Sequence, residues 1–139
     1  MKIKIELQSL GDDGYHIFCK VKVNGKKCRA LIDTGASKTV IGNMLINKLN
    51  ILDFKYNGDN QMTGIHPGEV DVAFAKIDTI SFGSLIFKNI ITGKIDLEHV
   101  NMQYKTLNIE PFELIIGGDI LFKGKAVIDY KNKFLKLVK

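Results

Sequence analysis

One aspartate of this chain stands where an acid is unusual, directly after three apolar residues. Residues 30–32 are Ala-Leu-Ile, and Asp33 follows them, with Thr34 and Gly35 next. A half-buried carboxylate needs hydrogen-bond donors, and a threonine hydroxyl and an unhindered glycine N–H can supply them. The stretch therefore indicates an ionisable site. The alternative is an ordinary turn in which Asp33 points into water, since Asp, Thr and Gly are common in loops.

A second stretch late in the chain completes the pattern. Residues 114–117 read Leu-Ile-Ile-Gly, and residues 33–37 read Asp-Thr-Gly-Ala-Ser. Together the two stretches resemble the paired motifs of the retropepsin-like aspartic proteases. Residues 118–119 are Gly-Asp, where viral members usually have arginine, so the resemblance is to bacterial or cellular members. It spans roughly residues 15–137, and only the two stretches are specific motifs.

The resemblance implies a role for each residue of the two motifs. It makes Asp33 the catalytic carboxylate, while Thr34 would bond across a dimer axis and Gly35 would aim its N–H at the carboxylate. Residues 57–68, which are polar and rich in turn formers, would be a flap that closes over substrate and excludes water. The supporting residues of the active site are then Thr34, Gly35, Ala36, Ser37, Ile116 and Gly117, and the expected flap contacts with substrate are Gly64 and Ile65.

Peptide hydrolysis by an attacking water needs one group that takes a proton from the water and another that protonates the carbonyl oxygen. Two carboxylates about 3 Å apart share this work because they cannot both ionise, and aspartic proteases are the standard example. This chain has a single Asp-Thr-Gly, whereas Asp119 and Asp129 lack the hydroxyl and glycine that would follow. We therefore expect a homodimeric aspartic endopeptidase with two copies of Asp33 across a twofold axis.

Two other classes of function stay open at the level of sequence. A retropepsin-like dimer could bind peptides or serve as an interaction module without cutting them, because a fold does not determine a function. The intact Asp33 motif favours catalysis, since a binding module has no need of two carboxylates forced together. Basic residues concentrate at positions 20–29 and 123–139 and could attract nucleic acid. At positions 19–23, however, lysines alternate with apolar residues as on the wet side of a strand, and we expect no nucleic-acid partner.

The strand that presents Asp33 is predicted from alternation and turn residues. Residues 15–23 alternate, Asn24-Gly25 is a strong hairpin signal, and residues 26–33 return antiparallel, which places Asp33 at the end of the hairpin. Residues 96–106 lack periodicity and predict a connecting loop. Further strands are predicted at 2–7, 39–41, 69–80, 85–91, 126–129 and 134–137. A short helix is predicted from Gly42 to Asn50, and a second short helix would begin at Asp119, whose side chain would cap it.

This order of elements predicts an all-β fold of barrel or sandwich type. The resemblance narrows it to a closed or partly open barrel of acid-protease type with one or two short helices, in a single retropepsin-like domain of residues 1–139. A chain of 139 residues can bury roughly two-thirds of its unfolded surface without metal or disulfide support.

The bulk properties bound the remaining possibilities. The net charge is +5 and the apolar fraction 45%, and no apolar run approaches the ~18 residues of a membrane span. The first residues alternate in charge and lack a signal-peptide core, so we expect a cytoplasmic protein with no membrane partner. Cys19 and Cys28 could face each other across the predicted hairpin and form a disulfide, but we expect buried thiols. The three histidines have no neighbours at metal-ligand spacing, so neither metal nor cofactor is expected: His16, His66 and His99.

Overall fold

The structure, a computed structural model of the chain, describes residues 1–56 and 72–139. Strands make up most of the regular structure in these residues, and short helices stand between some of them. The strands are β1 (Lys2–Lys4), β2 (Glu6–Ser9), β3 (Tyr15–Val23), β4 (Lys26–Ile32), β5 (Val40–Gly42), β6 (Asp53–Tyr56), β7 (Val72–Phe82), β8 (Leu85–Ile95), β9 (Leu114–Ile116), β10 (Val127–Asp129) and β11 (Phe134–Lys136), and the helices are α1 (Asn43–Lys48), α2 (Glu98–Thr106) and α3 (Gly118–Lys123).

Six of the strands close into a barrel. They pair in the order β3, β4, β9, β5, β8 and β7, and β7 pairs back with β3. The strand β2 extends this sheet beside β3, and β6 extends it beside β7. Because the barrel is closed, each of its strands is hydrogen-bonded to a neighbour on both sides over part of its length. The strands that hold the site therefore have few unpaired backbone groups. The predicted all-β barrel is confirmed.

The hairpin of β3 and β4 carries Asp33 at its end, as predicted. The turn residues Asn24 and Gly25 have φ values of 48° and 83°, the left-handed pair that a two-residue hairpin turn requires. The Asn24 side chain also accepts the backbone N–H groups of Asp78 and Thr79, both at 3.0 Å. These bonds fix the turn to β7, so the hairpin is held at both of its ends.

Two apolar clusters lie on opposite faces of the same strands, because side chains alternate along a strand. The larger cluster fills the barrel and includes Val21, Ile32, Ile41, Ile77, Leu114 and Ile116. The smaller cluster lies beneath α2 and is mainly aromatic, and its buried members are Phe18, Leu97, Tyr104, Ile109 and Phe112. The strand that ends at Asp33 is therefore packed on both faces, which gives the site a rigid base.

The predicted single strand over residues 2–7 is wrong in one respect. The chain breaks at Ile5, and β1 pairs with β11 in a separate three-stranded sheet of order β1-β11-β10 while β2 pairs with β3 in the barrel sheet. Ile5 is buried, and its N–H donates to the Lys133 carbonyl oxygen at 3.1 Å. The alternation of apolar residues runs through this break unchanged, so the period alone could not locate it.

The predicted loop over residues 96–106 is also wrong, because α2 occupies most of it. Tyr104 is its one buried residue, so the helix has almost no apolar spacing to recognise. Hydrogen bonds stabilise it instead. The Asp96 carboxylate accepts the Glu98 N–H at 2.9 Å. The Asn101 side chain donates to the Phe112 carbonyl oxygen at 2.9 Å and accepts the Phe112 N–H at 3.1 Å. The described residues thus contain three helices rather than one or two.

Candidate active site

Asp33 lies directly after β4, and the neighbouring strand β9 fixes its backbone. The Asp33 N–H donates to the carbonyl oxygen of Ile116 at 3.0 Å, which continues the parallel pairing of Ile32 with Ile116. The Ala36 N–H closes the turn by donating to the Asp33 carbonyl oxygen at 3.1 Å. The side chain is half-buried, between the barrel end and solvent. The sheet therefore presents the Asp33 carboxylate at a fixed place with one side open.

Gly35 contacts the carboxylate as the resemblance implied. Its N–H donates to Asp33 Oδ1 at 2.9 Å. A Cβ at Gly35 would lie 3.2 Å from the same oxygen, so any larger residue would crowd the acceptor. Thr34 and Ser37 are exposed, and Ala36 is half-buried. The structure thus brings the residues predicted between positions 33 and 37 into one loop at the barrel end.

The stretch 117–119 holds this loop from beneath. The Gly118 N–H donates to the Ala36 carbonyl oxygen at 2.7 Å, and the Asp119 N–H donates to that of Ser37 at 3.2 Å. A Cβ at Gly117 would lie 2.6 Å from the Lys38 carbonyl carbon and 2.8 Å from the Ala36 oxygen. Only glycine allows the two backbones to approach so closely. Ile116, whose carbonyl oxygen accepts the Asp33 N–H, and Gly117 are therefore in contact with the loop of residues 33–38, as the resemblance implied.

A pair of residues that the sequence did not identify as part of the site locks the other end of the loop. Thr39 is fully buried, and its hydroxyl donates to Asp119 Oδ1 at 2.7 Å while its N–H donates to the same oxygen at 3.0 Å. The Thr39 hydroxyl in turn accepts the Gly117 N–H at 3.1 Å. Hydrogen bonds to an ionised carboxylate are stronger than neutral ones. The hydrogen bonds that link Gly117, Thr39 and Asp119 therefore fix the loop against the start of α3.

The role predicted for Asp119 as helix cap is corrected by this geometry. The helix α3 begins one residue earlier, at Gly118, and has no side-chain cap at its first position. Asp119 Oδ1 does accept the Ile120 N–H at 2.9 Å, inside the first turn, but its other two bonds come from Thr39. Thr39 and Asp119 are 80 positions apart, and no sequence motif links them.

Other nucleophiles and metals receive no support from the described residues. Burial raises the pKa of the thiols of Cys19 and Cys28 to about 12 each, which leaves them protonated and unreactive at neutral pH. Residues 1–56 and 72–139 contain no cluster of three or more His, Cys, Asp or Glu side chains that could hold a metal ion. They also contain no helix long and apolar enough to cross a membrane. The predicted flap contacts Gly64 and Ile65 lie outside the described residues.

Sequence comparison gives a family and one related protein. The profile of the aspartyl protease family matches residues 19–119, which include both motifs. DNA damage-inducible protein 1 of Kluyveromyces lactis is 25% identical over 122 residues, which is 87% of this chain. The same alignment covers 26% of that protein, so the chain spans about a quarter of the length of this relative.

Structural comparison confirms the acid-protease form of the barrel. A retropepsin-like aspartic protease from Rickettsia conorii aligns with a TM-score of 0.59 at 21% identity, over 97% of this chain and 86% of the other. The retroviral protease-like domain of Ddi1 from Leishmania major aligns with a TM-score of 0.54 at 14% identity, over 86% of each chain. The protease of EIAV, solved with the inhibitor HBY-793, aligns with a TM-score of 0.50 at 23% identity. The alignment covers 83% of this chain and 92% of the EIAV protease. The Rickettsia, Leishmania and Kluyveromyces relatives are consistent with the predicted bacterial or cellular type.

Proposed function

This chain belongs to the aspartyl protease family, and on that premise we propose that it is a homodimeric aspartic endopeptidase with one Asp33 from each protomer in its active site. The observation that carries the proposal is the presentation of Asp33. The carboxylate lies at the end of a strand that is packed on both faces. The Gly35 N–H donates to one of its oxygens, and backbone hydrogen bonds fix the loop that follows. This fixed position supports a catalytic carboxylate rather than an ordinary turn residue.

One protomer supplies half of the chemistry. Hydrolysis of a peptide bond by water needs a base and an acid at the same moment, and Asp119, the other carboxylate tied to this loop, already accepts three hydrogen bonds. A second Asp33 across a twofold axis provides the missing group. At about 3 Å the two carboxylates share one proton, so one is base and the other acid.

The proton transfers then follow from this arrangement. The ionised carboxylate takes a proton from the attacking water, while the protonated carboxyl donates its proton to the carbonyl oxygen of the substrate. The tetrahedral intermediate collapses when the carboxyl that received the proton of the water passes it to the leaving nitrogen. In each protomer the Gly35 N–H on Asp33 Oδ1 keeps the carboxylate in place throughout. The exposed Thr34 is free to bond the loop of the second copy.

A second candidate function is a dimer that binds peptides without cutting them. The pair of carboxylates distinguishes the endopeptidase from the peptide-binding dimer. Two Asp33 carboxylates in contact repel each other, which would weaken a site that only binds and is useful only for catalysis. The half-buried position of Asp33, where desolvation strengthens the repulsion between two like charges, favours the enzyme.

A cleavage assay with a defined oligomeric state tests the proposal. A peptide library is incubated with the protein from about pH 3 to about pH 8, and the molar mass is measured by sedimentation at each protein concentration used. We expect cleavage with an acid-leaning optimum and a specific activity that rises as the protein dimerises. A protein that stays monomeric at high concentration contradicts the dyad. A dimer that binds peptides and leaves them whole supports the second function.

A further inference from the structure

The strand β3 changes its partner along one edge, and the change leaves a gap between two pairings. Residues 15–18 pair with β2, residues 22–23 pair with β7, and no described strand pairs with residues 19–21 on that edge. A cavity of about 520 Å³ lies at the gap, lined by residues 3–7, residues 18–20, Arg29 and Lys133. We propose that this cavity, the β3 groove, docks an extended acidic segment of a partner protein.

The backbone of Lys20 faces the gap, as hydrogen bonds on its two sides indicate. On the β2 side the Leu10 N–H donates to the Gly14 carbonyl oxygen at 2.9 Å, and on the β7 side the Asn24 N–H donates to the Thr79 carbonyl oxygen at 2.9 Å. The backbone N–H and C=O of every second residue in a strand point to the same edge. Lys20 is in phase with both Gly14 and Asn24, so its N–H and carbonyl oxygen point to this edge. An extended peptide can pair with them, as in the addition of a strand to a sheet edge.

Positive charge surrounds the β3 groove. Lys4, Lys20 and Lys133 are exposed around it, and Arg29 lies in its wall. Glu6 is the one acidic side chain among the described residues that line it, so the lining carries a net charge of +3. Both basic stretches of the sequence contribute, residues 20–29 through two side chains and residues 123–139 through one. A groove of this charge attracts an acidic ligand.

The lysines, rather than Arg29, supply the charge that a ligand would meet. The Arg29 side chain is 9% exposed, and its guanidinium donates to Glu6 Oε1 at 3.0 Å and to the Glu110 carbonyl oxygen at 2.6 Å. The ion pairs found among residues 1–56 and 72–139 both belong to Arg29 and include none of the three lysines of the groove. The charge of Glu6 is therefore compensated by Arg29, and the lysines are left for an acidic partner.

The apolar part of the lining favours a peptide over a nucleic acid. Ile3, Ile5 and Leu7 line the β3 groove at alternate positions of the chain, and the aliphatic side chains of a peptide can be buried against them. Phe18 is 1% exposed and lies 3.8 Å from the Arg29 guanidinium, so it offers no free face on which a base could stack. Side chains of an extended peptide alternate between two faces. A segment that alternates acidic and aliphatic residues therefore matches the lysines on one face and the apolar residues on the other.

The inference does not depend on the proposed proteolysis. Residues 33–37, 116 and 117 do not line the β3 groove, so docking there needs neither the Asp33 carboxylate nor a second copy of the chain. Binding can therefore be measured on Asp33→Asn, in which no peptide should be cut.

Fluorescence anisotropy with a labelled peptide tests the docking. The probe is a peptide of about ten residues that alternates glutamate and valine. We expect saturable binding that weakens severalfold when the salt concentration rises from about 50 mM to about 300 mM. A matched peptide with glutamine in place of glutamate, and another with serine in place of valine, should each bind more weakly. If the peptide shows no saturable binding up to about 1 mM, or if either replacement leaves its affinity unchanged, the proposal is wrong.

Two pairs of charge reversals locate the binding. Lys20→Glu with Lys133→Glu changes the β3 groove, whereas Lys88→Glu with Lys105→Glu makes the same change of net charge at exposed positions outside its lining. The groove pair should weaken peptide binding on the order of tenfold or more and the control pair by less than about threefold. Circular dichroism establishes that both variants fold. Equal losses in the two pairs would show that only the net charge of the protein matters, and would overturn the groove.

A single-stranded oligonucleotide of the same charge is the competing probe. If it binds more tightly than the peptide and loses that affinity in the groove pair, the site binds nucleic acid and the proposed partner is wrong. The proposed proteolysis is judged separately, by cleavage of a short neutral peptide. The groove pair should cleave this peptide like wild type, and a wild-type chain that cleaves nothing while the acidic peptide still binds would refute the protease and support the groove.

Discussion

Asp33 and Asp119 are two aspartates of one loop system with opposite surroundings. Asp33 is half-buried, and its side chain accepts one hydrogen bond from the Gly35 N–H. Asp119 accepts three bonds on Oδ1, two of them from the fully buried Thr39. The bonds of Asp119 hold the loop together, while Asp33 is positioned through its backbone and most of its carboxylate is left without protein partners. This difference fits the proposed role of Asp33 toward a substrate and a second copy.

The first way to test this difference is to neutralise each carboxylate without changing its shape. Asp33→Asn should lower kcat/KM by about 10²-fold to 10⁴-fold or more, because the dyad loses its shared proton. Thermal unfolding should change little, since the amide oxygen can still accept the Gly35 N–H. Asp119→Asn is the control: it should cost about 1–2 kcal/mol of stability through weaker hydrogen bonds and keep cleavage in the folded fraction. Equal losses of activity in both variants would contradict the division of tasks.

The second test adds one methyl group beneath the loop. A Cβ at Gly117 meets backbone atoms at 2.6 to 2.8 Å, and backbone cannot rotate away as a side chain can. Gly117→Ala should therefore lower the free energy of unfolding by about 3 kcal/mol and reduce activity with it. At the adjacent Gly118 the nearest atom would be 3.6 Å from a Cβ, an ordinary contact. Chemical denaturation of Gly118→Ala should show a change below about 1 kcal/mol, and a similar loss at both glycines would mean that Gly117 is not tightly packed.

The third test removes the acceptor of the buried bonds. Asp119→Ala leaves the N–H and hydroxyl of Thr39 without their partner inside the protein, which should cost about 2–3 kcal/mol. Asp12, exposed in the loop before β3, provides the matched substitution Asp12→Ala with little expected effect. Denaturant titrations of the two variants measure the comparison. A stable Asp119→Ala protein would show that the loop does not depend on this network.

The fourth test uses the thiols of Cys19 and Cys28, which contact neither Asp33 nor Asp119. Burial raises the pKa of Cys19 and Cys28 from 9.0 to about 12. Above pH 9 the unfolded thiols ionise while the folded ones keep their protons, so stability is unaffected at neutral pH and falls as the pH rises toward 12. The slope is at most about 1.4 kcal/mol per pH unit for each thiol. The double variant Cys19→Ala and Cys28→Ala should flatten this decline, and parallel curves for both proteins would refute the buried-thiol assignment.

Much of the site was predictable because its signals are local. The hairpin follows from alternation and from the turn at Asn24 and Gly25, and the strand pattern carries Asp33 to its end. Glycine at position 117 after an apolar run was informative because the resemblance assigned that run a place beneath the loop. These features need only a short window of sequence or a known motif.

The remainder depends on contacts that no local pattern encodes. Thr39 and Asp119 meet across 80 positions, and a threonine before a strand gives no sign of its partner. The break at Ile5 interrupts the strand without interrupting its alternation, and α2 is held by Asn101 and Asp96 rather than by apolar spacing.

Mixing two forms of the chain tests the shared dyad most directly. A fixed amount of wild-type protein is equilibrated with a tenfold excess of Asp33→Asn, under conditions in which both are dimeric and substrate is in excess. If the active site needs an Asp33 from each protomer, most wild-type chains enter mixed dimers with a single carboxylate, and the cleavage rate falls about tenfold. If one chain contains a complete site, the rate stays at its starting value, and that result would contradict the account.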